Sequence, residues 1–398
     1  MRNKSKEGDG EYMKKVLFVA TVAIHMRFHI PYLKWFRENG FEVHVAAHCD
    51  NERTQYEWDV NINEYCDKIY DIPIYRSPFR LSNIEAYRQL KKIIESEDYT
   101  IVHGHTPMGG ILARLCTRNQ RKKGTKVIYS VHGFHFCKGA PLLNWLLYYP
   151  IEKLCARFTD VLITTNNEDF EFAKRKMCAK EICYIPGIGC DTKKFANAIV
   201  DIEKRREELG VKQDEVFLLS VGELIKRKNH ETIMKAVKKL NNPQIKYFIC
   251  GDGMLRSYLE NLIETLGLSK QVILLGYRKD IDELCKSADI FCFPSYQEGL
   301  PIALVGAMAS GLPIVASNIR GVVDCVENNT TGLLCNPTDI NAFANAIEHL
   351  IRNSDTRKQL GDHSKTVVQK FDIKNAMQEM EKIYLDVIGC SHISSKSE

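Results

Sequence analysis

The strongest constraint on the fold is an alternation of short apolar strand patterns with helix patterns that runs its course twice. In the first half, KVLFVAT (15 to 21), FEVHVAA (41 to 47), TIVHGH (100 to 105), KVIYSVHG (126 to 133) and DVLITT (160 to 165) read as strands. Between them HIPYLKWFRENG, closed by Gly40, NIEAYRQLKKIIESE and GGILARLCTRN have apolar residues at helical spacing. Such alternation predicts βαβ units on a parallel sheet. After YIPGIGCDTKKF, a Gly- and Pro-punctuated linker over 186 to 200, the pattern restarts. VFLLSVG (216 to 222), IKYFICG (245 to 251), QVILLG (271 to 276), DIFCFPS (289 to 295) and LPIVAS (312 to 317) read as a second set of strands. Past Cys335 the chain turns helical, with INAFANAIEHLI and a last segment near 373 to 388.

A chain of 398 residues is long for one core, and two doubly wound α/β domains account for it. The boundaries read as a disordered tail over 1–13, a first domain over 14–190, a second over 191–372, and a C-terminal helix over 373–398 that crosses back to the first domain and ends in a frayed tail, SHISSKSE. In two such domains facing each other, the carboxyl ends of both sheets border one cleft, where open α/β sheets bind ligands.

Composition narrows the partners. The net charge of +5 is modest and its basic residues are scattered, so nucleic acid is not called for. Fourteen cysteines show no CxxC pairing; many, such as Cys250, Cys285, Cys292 and Cys325, sit in apolar runs and read as reduced, buried thiols of a cytosolic protein. The polar start MRNKSKEGDGEYMKK is not a secretory signal. PLLNWLLYYPIEKLCARF is the nearest approach to a membrane span and is interrupted by Pro150, Glu152 and Lys153, so the chain does not cross a bilayer. GxSxG, GxxxxGK[ST] and HExxH are all absent.

Several strand ends could carry chemistry. In SVGELIKRKNHETIMKAVKKL, Gly222 closes a strand, and Arg227 and Lys228 stand just before a helix whose free N–H groups would receive a phosphate; a solvated basic turn is the plainer reading. The Gly-Asp-Gly turn after Cys250 suits a tight βα connection. Tyr277 and Arg278 end another strand, where backbone could meet a base edge, while Asp280 and Asp282 read as helix caps rather than metal ligands. Glu298 stands in the turn FPSYQEGLP, placed to accept a ligand hydroxyl while the amides of Gly299 and Leu300 meet the same ligand, or else to serve as a helix-start acid. Pro301 suits the first position of the next helix and Gly311 its stop, which leaves Gly306 in mid-helix at a cost of about 1 kcal/mol relative to alanine. In the first half His103, His105, His132 and His135 lie at or after strand ends, where a histidine can donate to an oxygen or move a proton near pH 7.

The ordered set VGELIKRKN, GDG, LLGYRKDI, FPSYQEGLPIALVGAMASGLPIVAS and NTTGLL resembles the donor half of the family 4 retaining glycosyltransferases of the GT-B fold. FHIPYLKWFRENGFEVHVAA, VHGHTPMGGILARL and VHGFHFCKGAPLLNWLLYYPIEK look like the bacterial exopolysaccharide and capsule branch of that family; coverage runs from about Lys14 to Ile388. The resemblance implies transfer of a sugar from a nucleotide-diphosphate donor, UDP-linked by preference, to a lipid-linked saccharide, with retained anomeric configuration, no bound metal and no cofactor. Lys228 and Arg227 would neutralise the departing diphosphate, Glu298 would meet the donor sugar, His132 would reach the reacting centre, and backbone near Tyr277 and Arg278 would read the base. Gly222, Gly299, Leu300, Pro301 and Gly306 complete the implied donor site; His25, His105 and His135 are acceptor-side candidates.

Two positions depart from the family pattern. Glu223 stands where an arginine usually follows the glycine of the first donor motif, and Gly306 takes the place of the second glutamate of an E-x7-E pattern, which would bind the ribose. Loss of such a charged hydrogen bond is worth about 1.5–3 kcal/mol, roughly ten- to hundredfold in donor affinity. These departures motivate a second reading, a nucleotide-sugar-binding protein with weakened catalysis; a GT-B sugar-nucleotide 2-epimerase is a third, opposed by the EGLP loop and VHGFHF. The stretch 141–157, rich in Leu, Trp and Tyr and flanked by Lys138, Lys153 and Arg157, reads either as helix core or as a patch for peripheral contact with the inner face of the cell membrane.

Overall fold

The computed structural model describes residues 13–49, 61–187 and 189–389; of the tails expected over 1–13 and 391–398, all but Met13 lies outside the described residues. Among the described residues thirteen strands form two sheets: β1 Lys15–Val22, β2 Glu42–His48, β3 Lys68–Asp71, β4 Tyr99–His105, β5 Lys126–Val131, β6 Val161–Thr164, β7 Glu181–Tyr184, β8 Val216–Val221, β9 Ile245–Cys250, β10 Val272–Gly276, β11 Ile290–Phe293, β12 Ile314–Ser317 and β13 Gly332–Cys335. The first sheet has the order β3-β2-β1-β4-β5-β6-β7 and the second β10-β9-β8-β11-β12-β13. Pairing is parallel from β3 through β6 and throughout the second sheet. Central strands are near-continuous apolar runs because helices cover both faces: Val16 to Ala20 and Phe217 to Leu219 are fully buried.

All ten strands read from the sequence are present. The three it missed, β3, β7 and β13, have four residues each and sit at sheet edges. An edge strand is covered on fewer sides, so KIYD and EICY carry exposed residues and no apolar run.

The described residues divide into two compact units: one holds those up to Thr164, Phe172–Cys183 and those from Met380 on; the other holds Thr165–Glu171 and the described part of Tyr184–Glu379. In the second, helices pack on both faces of the sheet, with Phe217, Phe248, Phe291 and Phe293 on one side and Leu218, Tyr247, Ile249 and Cys292 on the other. The linker read over 186–200 contains a helical turn, Thr192–Ala196, held by the Asp372 carboxylate, which accepts from Thr192. The described cysteines are free; Cys250, Cys285, Cys292 and Cys325 are buried, and burial pushes their thiols up, that of Cys250 to about 12.

Candidate active site

In each sheet the strand order reverses once, between β1 and β4 and between β8 and β11. The connections leaving two such strands run to opposite faces, and the gap at their carboxyl ends is where open α/β sheets bind ligands. Arg227, Lys228 and Glu298 follow β8 and β11 at one reversal and His105 ends β4 at the other, whereas Tyr277 and Arg278 follow the edge strand β10.

In the second unit, Gly222 follows β8 and a Cβ there would stand 3.1–3.4 Å from the Lys228 stem, so glycine leaves the lysine its course. Lys228 Nζ donates to Glu298 Oε1 at 2.9 Å and lies 4.9 Å from the centre of the Phe293 ring. Arg227 Nη1 is 2.9 Å from the same carboxylate oxygen and donates to the Gln297 carbonyl at 2.8 Å. Asn229 holds a left-handed backbone, φ 55°, and its amide donates to the carbonyls of Pro294 and Pro337, fixing the basic turn against the end of β11. The geometry therefore binds Arg227 and Lys228 to one acid, where a solvated basic turn would leave them to water.

Glu298 is 7% exposed. Burial alone would raise its pKa, but Lys228 and Arg227 outweigh it and hold the carboxyl below its usual range. Two cations against one carboxylate leave one excess positive charge, facing an acid that can also accept a hydroxyl. The loop is braced by a residue the sequence reading missed: Arg320, buried, donates to the Glu298 carbonyl at 3.2 Å and to Asp169 at 2.7 Å. Gly321, at φ +77°, lets the chain pass so close that a Cβ would meet the Gly299 carbonyl oxygen at 1.7 Å. An arginine in an otherwise unmarked NIRG turn gives no periodic or motif signal.

Pro301 is the N-cap of the helix Ile302–Ala309 rather than its first residue, and Gly311 ends it at φ +83°. Leu300 packs over Gly187. Gly306 is buried, and a Cβ on it would lie 2.7 Å from Cε1 and Cζ of Phe195. Helix propensity reads this glycine as a defect; the fold uses it to seat an aromatic ring.

Tyr277 is exposed at the end of β10, and Arg278 is held in a two-pronged pair with Asp280. This corrects the capping role read for the two aspartates: Asp280 occupies the N-cap position of the helix Ile281–Ser287 without a side-chain capping bond, because its carboxylate serves Arg278 and Arg205. Asp282 pairs with Lys194 at 3.6 Å. The Gly-Asp-Gly turn packs on the loop after β8, Leu224 N donating to the Asp252 carbonyl.

In the first unit, the reversal gathers histidines. His105 ends β4, His132 follows β5, and His29, which the sequence reading missed, closes the 3-10 helix Ala23–His29 after β1. The rings of His29 and His105 are 3.9 Å apart, and His105 Nδ1 is 3.5 Å from His132 Nε2. Burial alone lowers the pKa of His132 to about 4; burial puts His29 and His105 well below the usual value, and their histidine neighbours push these two further, so all three are neutral at pH 7. His25 lies in the same 3-10 helix. His103 is a satisfied core residue, bonded to Ser130 at 2.9 Å and to the Tyr384 hydroxyl at 3.1 Å. His135 is exposed and packs on Tyr148, 4.8 Å between ring centres. Thr106, between β4 and its helix, holds φ 61° and ψ 157°, a conformation costing on the order of 1–3 kcal/mol, and is tied to Thr21 through hydroxyls 2.7 Å apart.

The helix Leu142–Ala156 runs through Pro150. Glu152 anchors it by pairing at 2.8 Å with fully buried Arg114, whose guanidinium stacks 3.8 Å over Tyr129. Trp145, Tyr148 and Tyr149 pack inward, while Leu142, Leu143 and Leu146 are 75%, 62% and 65% exposed. The stretch thus splits between core and surface. No helix among the described residues is long and apolar enough to cross a membrane.

Comparison with known proteins places these features in a wider set. Residues 15–166 match the model "Glycosyl transferase 4-like" and residues 201–367 match "Glycosyl transferases group 1". EpsD of Bacillus subtilis (strain 168) is 40% identical over 376 residues, spanning 93% of this chain and 96% of its own. The UDP-Gal:alpha-D-GlcNAc-diphosphoundecaprenol alpha-1,3-galactosyltransferase of Escherichia coli is 33% identical over 320 residues, 77% of this chain and 81% of its own. Among solved structures, Anabaena HepE in complex with UDP and glucose superposes with a TM-score of 0.77 at 20% identity, covering 94% of this chain and all of HepE.

Proposed function

Because this chain belongs to the family 4 glycosyltransferases and has their GT-B fold, we propose that it moves a sugar from a UDP-sugar to a lipid-linked saccharide, with retention and without a metal, in cell-surface polysaccharide synthesis. The observation that carries the reading is the convergence of Lys228 and Arg227 on buried Glu298 at the β8/β11 reversal. When a diphosphate arrives, its oxygens compete for the two cations. Glu298, released in part from them, accepts a hydroxyl of the sugar. As the glycosidic bond breaks, charge grows on the leaving phosphate, where Lys228 and Arg227 stabilise it more than in the ground state. They do the work a divalent ion does elsewhere. In the same proposal the amides of Gly299 and Leu300 meet the sugar-phosphate, backbone at Tyr277 and Arg278 meets the uracil, and His132 supplies a neutral imidazole to the reacting sugar. The first unit takes the acceptor, with His25, His105 and His135 as its candidates.

The E. coli relative's name specifies UDP-Gal and a diphosphoundecaprenol acceptor, which supports a UDP donor and a polyprenyl-diphosphate acceptor here. Exposed Leu142, Leu143 and Leu146 beside Lys138, Lys153 and Arg157 suit contact with an anionic lipid surface, and we place the protein at the inner face of the cell membrane.

One observation favours a second reading, a binding protein with little turnover: Phe195 fills the space beside Gly306. A thermal-shift screen of UDP- and GDP-sugars followed by product analysis with a lipid-diphosphate-sugar acceptor separates them. Transfer that needs the acceptor and gives an unchanged anomer supports the proposal. Binding with no turnover supports the second reading, and acceptor-free isomer formation would show an epimerase.

A further inference from the structure

We propose that His29, His105 and His132 form a binding site for a divalent transition-metal ion of the zinc class. One ring nitrogen from each lies within 4.8 Å of one from each of the others; His29 and His105 stand at the β1/β4 reversal of the first unit and His132 follows the adjacent β5. The separation of 3.5 Å between His105 Nδ1 and His132 Nε2 is close to the roughly 3.4 Å that two nitrogens span on one tetrahedral zinc with bonds of about 2.0–2.1 Å.

A second observation points to a ligand. His29 is 3% and His105 1% exposed, yet His29 Nδ1 and His105 Nε2 have no hydrogen-bond partner. A buried imidazole nitrogen without a partner forfeits its hydration for nothing, and native interiors rarely tolerate two side by side. An ion held between His105 Nδ1 and His132 Nε2 would replace a contact 3.5 Å long, at the limit of a hydrogen bond, and leaves Nε2 of His105 to carry that ring's proton. His132, half-buried, is the side open to solvent and leaves a fourth position for water.

His103 is excluded from the set because Ser130 and Tyr384 occupy both its nitrogens. The ion is not assigned a part in transfer. Resting on the proposed role of His132, its effect is inhibitory: Nε2 of His132, once held by the ion, is no longer open to the sugar.

The test is titration of the EDTA-stripped full chain with Co2+, followed by visible absorption, and with Zn2+ by calorimetry. We expect one ion per chain with d–d bands of a low-symmetry nitrogen site, and affinity more than about tenfold weaker in His29→Gln and His105→Gln. His132→Gln, at a half-buried position, serves as the variant least exposed to misfolding, and His135→Gln should bind as the parent does. Far-UV circular dichroism of each variant separates lost ligation from lost fold. No binding by the parent, or binding unchanged in all three variants, overturns the site. Binding without inhibition of transfer leaves the site standing and overturns the role given to His132.

Discussion

Placing a side chain at position 306 sets two known quantities against each other. Alanine there should gain about 1 kcal/mol of helix propensity. Its Cβ would sit 2.7 Å from two carbons of the Phe195 ring, against an ordinary separation of about 3.5–4.0 Å, so the ring must retreat by roughly 1 Å. Overpacking of this kind costs about 1–3 kcal/mol, which outweighs the propensity gain. We expect Gly306→Ala to be destabilising by about 1 kcal/mol. Phe195→Ala should lose about 2 kcal/mol, the ring being half-buried. In the double variant the clash is gone and the propensity gain returns, so alanine at 306 should stabilise when Phe195 is absent. Urea unfolding of the four proteins reads the coupling, expected at about −1 to −3 kcal/mol. Effects that add within about 0.5 kcal/mol would refute the packing account. The same geometry governs a restored ribose contact: Gly306→Glu alone should fail to improve UDP affinity, whereas Gly306→Glu with Phe195→Ala should raise it by roughly tenfold or more. Improvement by the single change would show that the ring does not bar the carboxylate.

Three further outcomes follow from the same geometry. Glu298→Gln frees Lys228 and Arg227 for the diphosphate, so calorimetry should find UDP bound at least as tightly while transfer falls by roughly 100-fold; Lys228→Ala should instead weaken UDP by roughly ten- to hundredfold. Buried His230 opens the helix His230–Leu240 just after the Arg227–Lys228 turn, and burial holds it at about 4, against 6.5 for a free imidazole, so between those values the unfolded chain takes up a proton that the fold refuses, and stability falls as pH falls. The stability lost between pH 7.5 and pH 5, read from urea midpoints, should therefore be smaller by about 2 kcal/mol in His230→Gln than in the parent, and an equal loss would mean His230 titrates normally. Vesicle flotation should show binding to anionic lipid that Leu142→Asp with Leu146→Asp abolishes, since each leucine forfeits about 1.5–3 kcal/mol of burial; equal flotation of the double variant would move the contact elsewhere.

The fold was legible because parallel sheets leave long apolar strands between amphipathic helices. KVLFVAT and VFLLSVG announce themselves since both faces of β1 and β8 are covered. KIYD and EICY do not, because an edge strand is specified by its neighbour's hydrogen bonds more than by its own composition. The linker was legible as punctuation and illegible as packing: nothing in DTKKF signals that Phe195 fills a gap beneath a helix more than a hundred residues away.

The candidate site divides along the same line. Glu298, Arg227 and Lys228 were readable because they stand in glycine- and proline-shaped turns next to strand ends, where local sequence fixes position. That the two cations share one oxygen of the acid was not readable, for it depends on the strand order that brings β8 beside β11. His29 was missed for a related reason. It stands before IPYLKWF as an ordinary helix-entry residue, and only the pairing of β1 with β4 carries it to within 3.9 Å of His105. In both units, then, local sequence supplies the chemistry and topology supplies the juxtaposition. Residues that act in pairs across a strand reversal are the ones a linear reading separates. The excess positive charge beside Glu298 and the uncharged imidazoles of the first unit are consequences of that juxtaposition, and on them rest the ligands proposed above: a diphosphate at one reversal, a lone-pair acceptor at the other.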